Sequence, residues 1–203
     1  MDFTHRPRYH FLPPCYWMND PNGLIHWQGQ YHLFYQHNPF GASWGRMHWG
    51  HAVSADLVYW QHLPIALVPT PGGPDQDGCW SGCAVDWAGV PALVYTGVRP
   101  EVQCLAMAED KDLLIWHKHP RNPIIAGAPA GLEVTGFRDP YVWREGEEWR
   151  LVLGSGIPGR GGAVLLYRSP NLLDWEYLGP LYQGEASHTG YNWECPNFFT
   201  LRG

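Results

Sequence analysis

Three acidic residues stand in aromatic-flanked, proline-containing segments. Asp20 lies in Trp17-Met18-Asn19-Asp20-Pro21-Asn22-Gly23, Asp139 in Phe137-Arg138-Asp139-Pro140, and Glu194 in Trp193-Glu194-Cys195-Pro196. Taken singly, each Asp-Pro is an ordinary turn sequence. Their spacing says more: Asp20 and Asp139 are 119 residues apart and Asp139 and Glu194 are 55 apart, close to two lengths and one length of the internal repeat described below. Carboxylates at equivalent positions of a repeat converge on one place. Three of them around a cavity suit cleavage of a glycosidic bond. One acid protonates the leaving oxygen and one carboxylate meets the oxocarbenium-like carbon, with the pair about 5–5.5 Å apart in a retaining enzyme and about 6.5–9.5 Å apart in an inverting one. A third can hold sugar hydroxyls and steady the developing positive charge. Glu194, between Trp193 and Cys195, has the less polar flanks, and an apolar wall with like charges nearby keeps an acid protonated. It therefore reads as the acid/base. Asp20, between the amides of Asn19 and Asn22, reads as the carboxylate kept ionised to act as nucleophile.

The elements that must position these groups follow from the repeat. Asp56-Leu57-Val58-Tyr59-Trp60, Asp112-Leu113-Leu114-Ile115-Trp116 and Asn171-Leu172-Leu173-Asp174-Trp175 share one pattern at spacings of 56 and 59 residues. In each, the Asp or Asn is placed to cap a tight turn with its side-chain oxygen. Strand-like runs precede them at 49–54, 103–108 and 163–168. Interleaved hairpins turn at Gln28-Gly29, Ala88-Gly89 and Glu145-Gly146. No segment sustains a helical period. Four short strands per unit, repeated in tandem, are the signature of β-propeller blades. The chain is thus all-β, with blade 1 at about 20–65, blade 2 at about 79–120, blade 3 at about 139–180 and the first strand of a fourth at about 194–203. Trp60, Trp116 and Trp175 share an outer-strand position and read as blade packing. Because a propeller needs about four to eight blades, the sequence reads as a fragment of a longer protein or as one that completes itself by association. Its open ring would leave two exposed strand edges.

Composition narrows the partners. The formal net charge is −6, from 13 Lys+Arg against 19 Asp+Glu, with no basic run. That argues against a nucleic-acid or anionic-membrane surface. No apolar stretch approaches the roughly 18 residues of a bilayer span, and Met1–Pro7 has no apolar core of a signal peptide. The five cysteines (Cys15, Cys79, Cys83, Cys104, Cys195) are odd in number and form no CxxC pair, which fits free thiols in a reducing cytoplasm. His48 and His51 invite a metal reading, but residues three apart on a strand face opposite sides. The expectation is a cytoplasmic protein with no metal and no cofactor. The abundance of flat rings, 12 Trp and 11 Tyr, points to a small-molecule carbohydrate, because such rings stack on the C–H faces of sugars.

The ordered motifs add a family. His10-Phe11-Leu12-Pro13-Pro14, Trp17 to Gly23, Phe34-Tyr35-Gln36-His37-Asn38-Pro39, Trp49-Gly50-His51-Ala52, Asp56 to Trp60, Cys79-Trp80-Ser81-Gly82, Phe137-Arg138-Asp139-Pro140 and Glu194-Cys195-Pro196 together resemble glycoside hydrolase family 32, the invertases, β-fructosidases, levanases and inulinases. The resemblance runs from about residue 7 onward. It implies a five-bladed propeller followed by a C-terminal β-sandwich, of which the sandwich and most of two blades do not occur in these 203 residues. It also implies hydrolysis of terminal non-reducing β-D-fructofuranosides with retention, without metal or cofactor. Asp20 falls on the family's nucleophile, Glu194 on its acid/base and Asp139 on its transition-state stabiliser. Asn19, Gln36, Trp44, Trp80, Ser81 and Arg138 fall on positions that bind or wall the fructosyl unit. Four of them have a plainer alternative: Trp44 packing its loop, Gln36 satisfying strand backbone, Trp80 in the core, Arg138 paired with Asp139. Two other functions stay open, a sugar-binding relative without activity and a propeller glycosidase that inverts on arabinans.

Overall fold

Alternating apolar residues and short glycine turns fold the chain into twelve strands, seen in a computed structural model that describes residues 4–7 and 9–201. Met1 to Phe3, and the last two residues of the expected fourth-blade segment, lie outside the described residues. The strands are β1 (Trp17–Trp27), β2 (Gln30–Asn38), β3 (His48–Ser54), β4 (Gln61–Leu67), β5 (Gly78–Trp87), β6 (Val90–Val98), β7 (Val102–Ala108), β8 (Trp116–Lys118), β9 (Phe137–Glu145), β10 (Glu148–Ile157), β11 (Gly161–Ser169) and β12 (Glu176–Gln183), followed by a single helical turn, α1 (Ala186–Thr189). They form three four-stranded antiparallel sheets, each in sequence order. Gln28 and Gly29, and likewise Ala88 and Gly89, both take positive φ, the backbone twist that joins two antiparallel strands through two residues. The third hairpin turns at Gly146-Glu147 and not at Glu145-Gly146. Glu145 still pairs with Glu148, and Gly146 supplies the positive φ at the first turn position.

The sheets pack face to face as propeller blades. Phe34, Trp49 and Leu67 of the first meet Leu93, Tyr95, Cys104 and Ala106 of the second. Val85, Val94 and Leu105 of the second meet Phe137, Val142, Leu151, Leu153 and Leu165 of the third. The innermost strands β1, β5 and β9 lie side by side. A buried ion pair also ties the first two blades: Lys118 Nζ on β8 donates to Asp75 Oδ2 at 2.5 Å and to the Val68 carbonyl, while Tyr95 donates to the same carboxyl at 2.8 Å. Burial opposes ionisation of Asp75, and the Lys118 bond and charge outweigh it, holding the carboxyl below its ordinary value.

The outer turns repeat to the atom. Trp60, Trp116 and Trp175 each donate an indole N–H to the carbonyl three residues back, and Leu57, Leu113 and Leu172 each take a left-handed φ. Asp56 and Asn171 cap their turns through Oδ1 as expected. In the second blade Asp110, not Asp112, is the cap. It occupies the position held by Ser54 and Ser169 in the other repeats, so its longer acceptor reaches the amides first. His48 and His51 do diverge: His48 lies within bonding distance of the Arg46 carbonyl, and His51 bonds His32. One further expectation changes. Residues 194–201 form no strand, because a first strand is held by a second and none pairs with this segment among the described residues. The edge strand β12 pairs with β11 and exposes Leu178, Leu181 and Tyr182.

Candidate active site

All three inner strands break register at the same level. The slips fall between Met18 and Pro21 on β1, between Trp80 and Gly82 on β5, and between Arg138 and Tyr141 on β9. Such a bulge re-aims the side chains within it, and these three hold Asn19 and Asp20, Ser81, and Asp139. The Asp20 and Asp139 segments, ordinary turn sequences when taken singly, are therefore bulged parts of the strands themselves. Asp139 sits at φ +61, a conformation that a non-glycine residue adopts only where its surroundings fix it. The β6–β7 hairpin of blade 2 does so. Thr96 Oγ1 accepts the Asp139 amide at 2.9 Å, Gln103 donates to the Phe137 carbonyl at 2.7 Å, Thr96 donates to Gln103 at 2.9 Å, and Glu101 accepts the Phe137 amide at 2.5 Å.

Glu194 belongs to no sheet and is placed by its neighbour. The Trp193 amide donates to the Ser155 carbonyl at 2.9 Å, its indole donates to the Thr189 carbonyl at 2.8 Å, and the ring stacks on Tyr182. The ring lies on Gly162 and Gly184. A Cβ on Gly162 would come within 2.4 Å of it, so only glycine admits this close approach.

All nine residues anticipated from sequence meet here. Asn19, Asp20, Gln36, Trp44, Trp80, Ser81, Arg138, Asp139 and Glu194 line one open cavity of about 270 Å³. A second cavity of about 370 Å³ lies beside it along the inner strands, sharing Ser81 and Asp139 and lined further by Asn22, Cys83, Tyr141 and Cys195. Trp44, half exposed, meets Trp80 edge to face at 5.9 Å. The Trp80 indole N–H is buried and has no hydrogen-bond partner among the described residues. Gln36 performs the plainer role as well, donating to the Cys79 carbonyl at 3.0 Å. Asn19 accepts from the Trp17 indole at 2.7 Å.

The carboxylates sit in three different environments. Asp20 Oδ2 accepts from Ser81 Oγ at 2.7 Å and lies 3.6 Å from Cys195 Sγ. Its donors are these two side chains and not the Asn19 and Asn22 amides: Asn19 Oδ1 accepts from the Trp17 indole, and Asn22 Nδ2 is buried without a partner among the described residues. Asp139, only 6% exposed, accepts the Cys195 amide at 3.0 Å. Burial is the main cause that raises its pKa to about 6. The Cys195 amide and Arg138 oppose the rise, and Glu194 and Asp20 add to it. Glu194 does not rest against an apolar wall. Its side chain is 59% exposed and accepts from Arg138 Nη2 at 2.6 Å. Arg138 lines the cavity as expected, but the plainer alternative, a pair with Asp139, does not form: its two terminal nitrogens meet Glu194 and, at 2.7 Å, Glu101. Two contributors escaped the sequence reading. Cys195 contacts both aspartates, and only its place between Glu194 and Pro196 hinted at that; Glu101 carried no local signal.

Residues 10–203 match the model of the glycosyl hydrolases family 32 N-terminal domain. The sucrose-6-phosphate hydrolase of Escherichia coli is 45% identical over 98% of the chain and 42% of its own length. Among solved structures, the β-fructofuranosidase of Bombyx mori superposes with a TM-score of 0.87 at 40% identity, over 98% of the chain and 42% of the enzyme. The fructan 1-exohydrolase IIa of Cichorium intybus gives 0.84 at 42% identity, over 93% of the chain and 36% of the enzyme. The chain thus spans about two-fifths of the length of these relatives. With its three blades and the match over nearly its whole length, the chain belongs to glycosyl hydrolase family 32.

Proposed function

We propose that the polypeptide carrying these residues hydrolyses terminal non-reducing β-D-fructofuranosides by a retaining double displacement. The observation that carries this reading is the single cavity whose wall holds Asp20, Asp139 and Glu194 together with six sugar-contact candidates. Glu194 donates a proton to the leaving oxygen while Asp20 attacks the anomeric carbon of the fructosyl unit. Water then opens the fructosyl-enzyme with Glu194 as base. Asp139, buried beside both, accepts from fructose hydroxyls and offsets the charge that develops on the ring. The Ser81 hydroxyl and the Cys195 thiol hold Asp20 in place. The open cavity favours release of single fructose units. Sucrose, its 6-phosphate, raffinose and fructans share that fructosyl end, and the names of the relatives cover several of them. The five free thiols, three of them buried, support a cytoplasmic location.

The test is a panel of sucrose, sucrose 6-phosphate, inulin and levan on the full-length polypeptide, with early product anomers read by NMR. Release of β-fructofuranose supports the proposal; inverted product or no release contradicts it. A second reading rests on the exposure of Glu194, which is fixed by Trp193 and Arg138 outside any sheet. That reading is a site that binds the sugar without turning it over. Saturable fructose binding with no hydrolysis would favour it.

A further inference from the structure

Glu101 lies in the β6–β7 turn of blade 2, away from the cavity wall, yet it bonds two consecutive residues of β9. Its Oε2 accepts the Phe137 amide at 2.5 Å and its Oε1 accepts Arg138 Nη1 at 2.7 Å. The other terminal nitrogen of Arg138 donates to Glu194 at 2.6 Å, and the guanidinium lies 5.7 Å from the Trp80 ring centroid. One planar cation thus joins a carboxylate of blade 2 to the carboxylate that follows blade 3. The Arg138 and Glu101 side chains are 18% and 23% exposed, against 59% for Glu194. The anchored end of this relay is therefore Glu101, and the free end is Glu194.

We infer that Glu101 is a positioning residue for the acid/base: it orients Arg138 through a charge-assisted bond and, by its own charge, limits the pull of that cation on Glu194. The inference rests on the proposed fructosidase reading for its kinetic consequences and on geometry alone for its electrostatic one. A lone arginine beside Glu194 would favour the carboxylate form. A second carboxylate on the same guanidinium offsets that pull and fixes the fork. Removing it should make the Glu194 proton easier to lose, so that the acid is spent at lower pH.

Glu101→Gln tests this, since the amide keeps one oxygen for Phe137 and puts an uncharged NH2 donor where the carboxylate oxygen accepted from Arg138 Nη1. On the full-length polypeptide with sucrose, kcat is expected to fall about ten-fold with KM changed less than about three-fold, and the alkaline limb of the kcat profile should move to lower pH. Glu101→Asp retains the charge, so its limb should stay at the wild-type pH even where kcat drops. This variant also decides the matter if the glutamine variant fails to fold. An unmoved limb in Glu101→Gln, or an equal shift in Glu101→Asp, would overturn the inference. Should the wild type release no fructose, the functional reading falls while this one is still read by ¹³C NMR of glutamate Cδ. The Glu194 titration midpoint, assigned with Glu194→Gln, drops in Glu101→Gln if the coupling exists, and its failure to move overturns the coupling.

Discussion

Asp139 is held where a carboxylate is costly, so Asp139→Asn should make the protein more stable and less active. In the folded chain burial raises its pKa to about 6, from an ordinary 3.8. A folded-state value above the unfolded one means the native protein binds the extra proton between these two pH values. The favourable contribution is complete below about pH 4 and is lost as pH rises through about 6. A shift of about two units corresponds to about 3 kcal/mol of destabilisation at neutral pH. Asparagine keeps an oxygen for the Cys195 amide and carries no charge, so it removes this cost. Urea unfolding of the full-length polypeptide at several pH values is the assay. Asp139→Asn should be more stable than wild type by up to about 3 kcal/mol near pH 7.5, with the gap closing toward pH 4, while turnover falls by orders of magnitude. A variant less stable than wild type at neutral pH, or a gap that does not change with pH, would refute the reasoning.

Other consequences can be checked alongside. Ser81→Ala removes the 2.7 Å bond to Asp20 and should lower kcat about ten-fold or more, measured against an unchanged melting temperature. Gly162→Val places a side chain where the Trp193 ring lies, so loss of turnover should exceed what the thermal melt accounts for. Lys118→Met leaves the Asp75 carboxylate buried without its cation and should cost about 3–5 kcal/mol in urea unfolding near neutral pH. Because Asp75 has a depressed pKa, that deficit should shrink as pH falls through its folded-state value.

Much of the site was legible because repeat register is a one-dimensional property. Asp20, Asp139 and Glu194 stand at matching points of three units, and equal points of a radial repeat must meet at its axis. The hairpins and the Trp60, Trp116 and Trp175 positions were legible for the same reason, since period and turn chemistry are local. What stayed hidden depends on contacts between blades. Arg138 follows Phe137 and precedes Asp139, and nothing nearby in sequence discloses that its partners are Glu101, 37 residues back, and Glu194. The bulges were hidden too, since Asp-Pro reads as a turn whether it precedes a strand or interrupts one. The cap in blade 2 moved to Asp110 because a carboxylate two residues upstream competes for the same amides, a choice that geometry makes and a pattern does not. Glu194 looked apolar by its neighbours in sequence and is instead bonded by a cation 56 residues back on β9.

The central claim is that Asp20 and Glu194 act on one fructosyl unit, and trapping that unit tests it most directly. In Glu194→Gln, a β-D-fructofuranoside with a nitrophenyl leaving group needs no proton to depart, and no base remains to open the intermediate. Acid-quenched peptide mass spectrometry should then find one fructosyl adduct, on the peptide containing Asp20, absent from Asp20→Ala. An adduct on another residue, or none from a variant that still releases nitrophenol, would contradict the account.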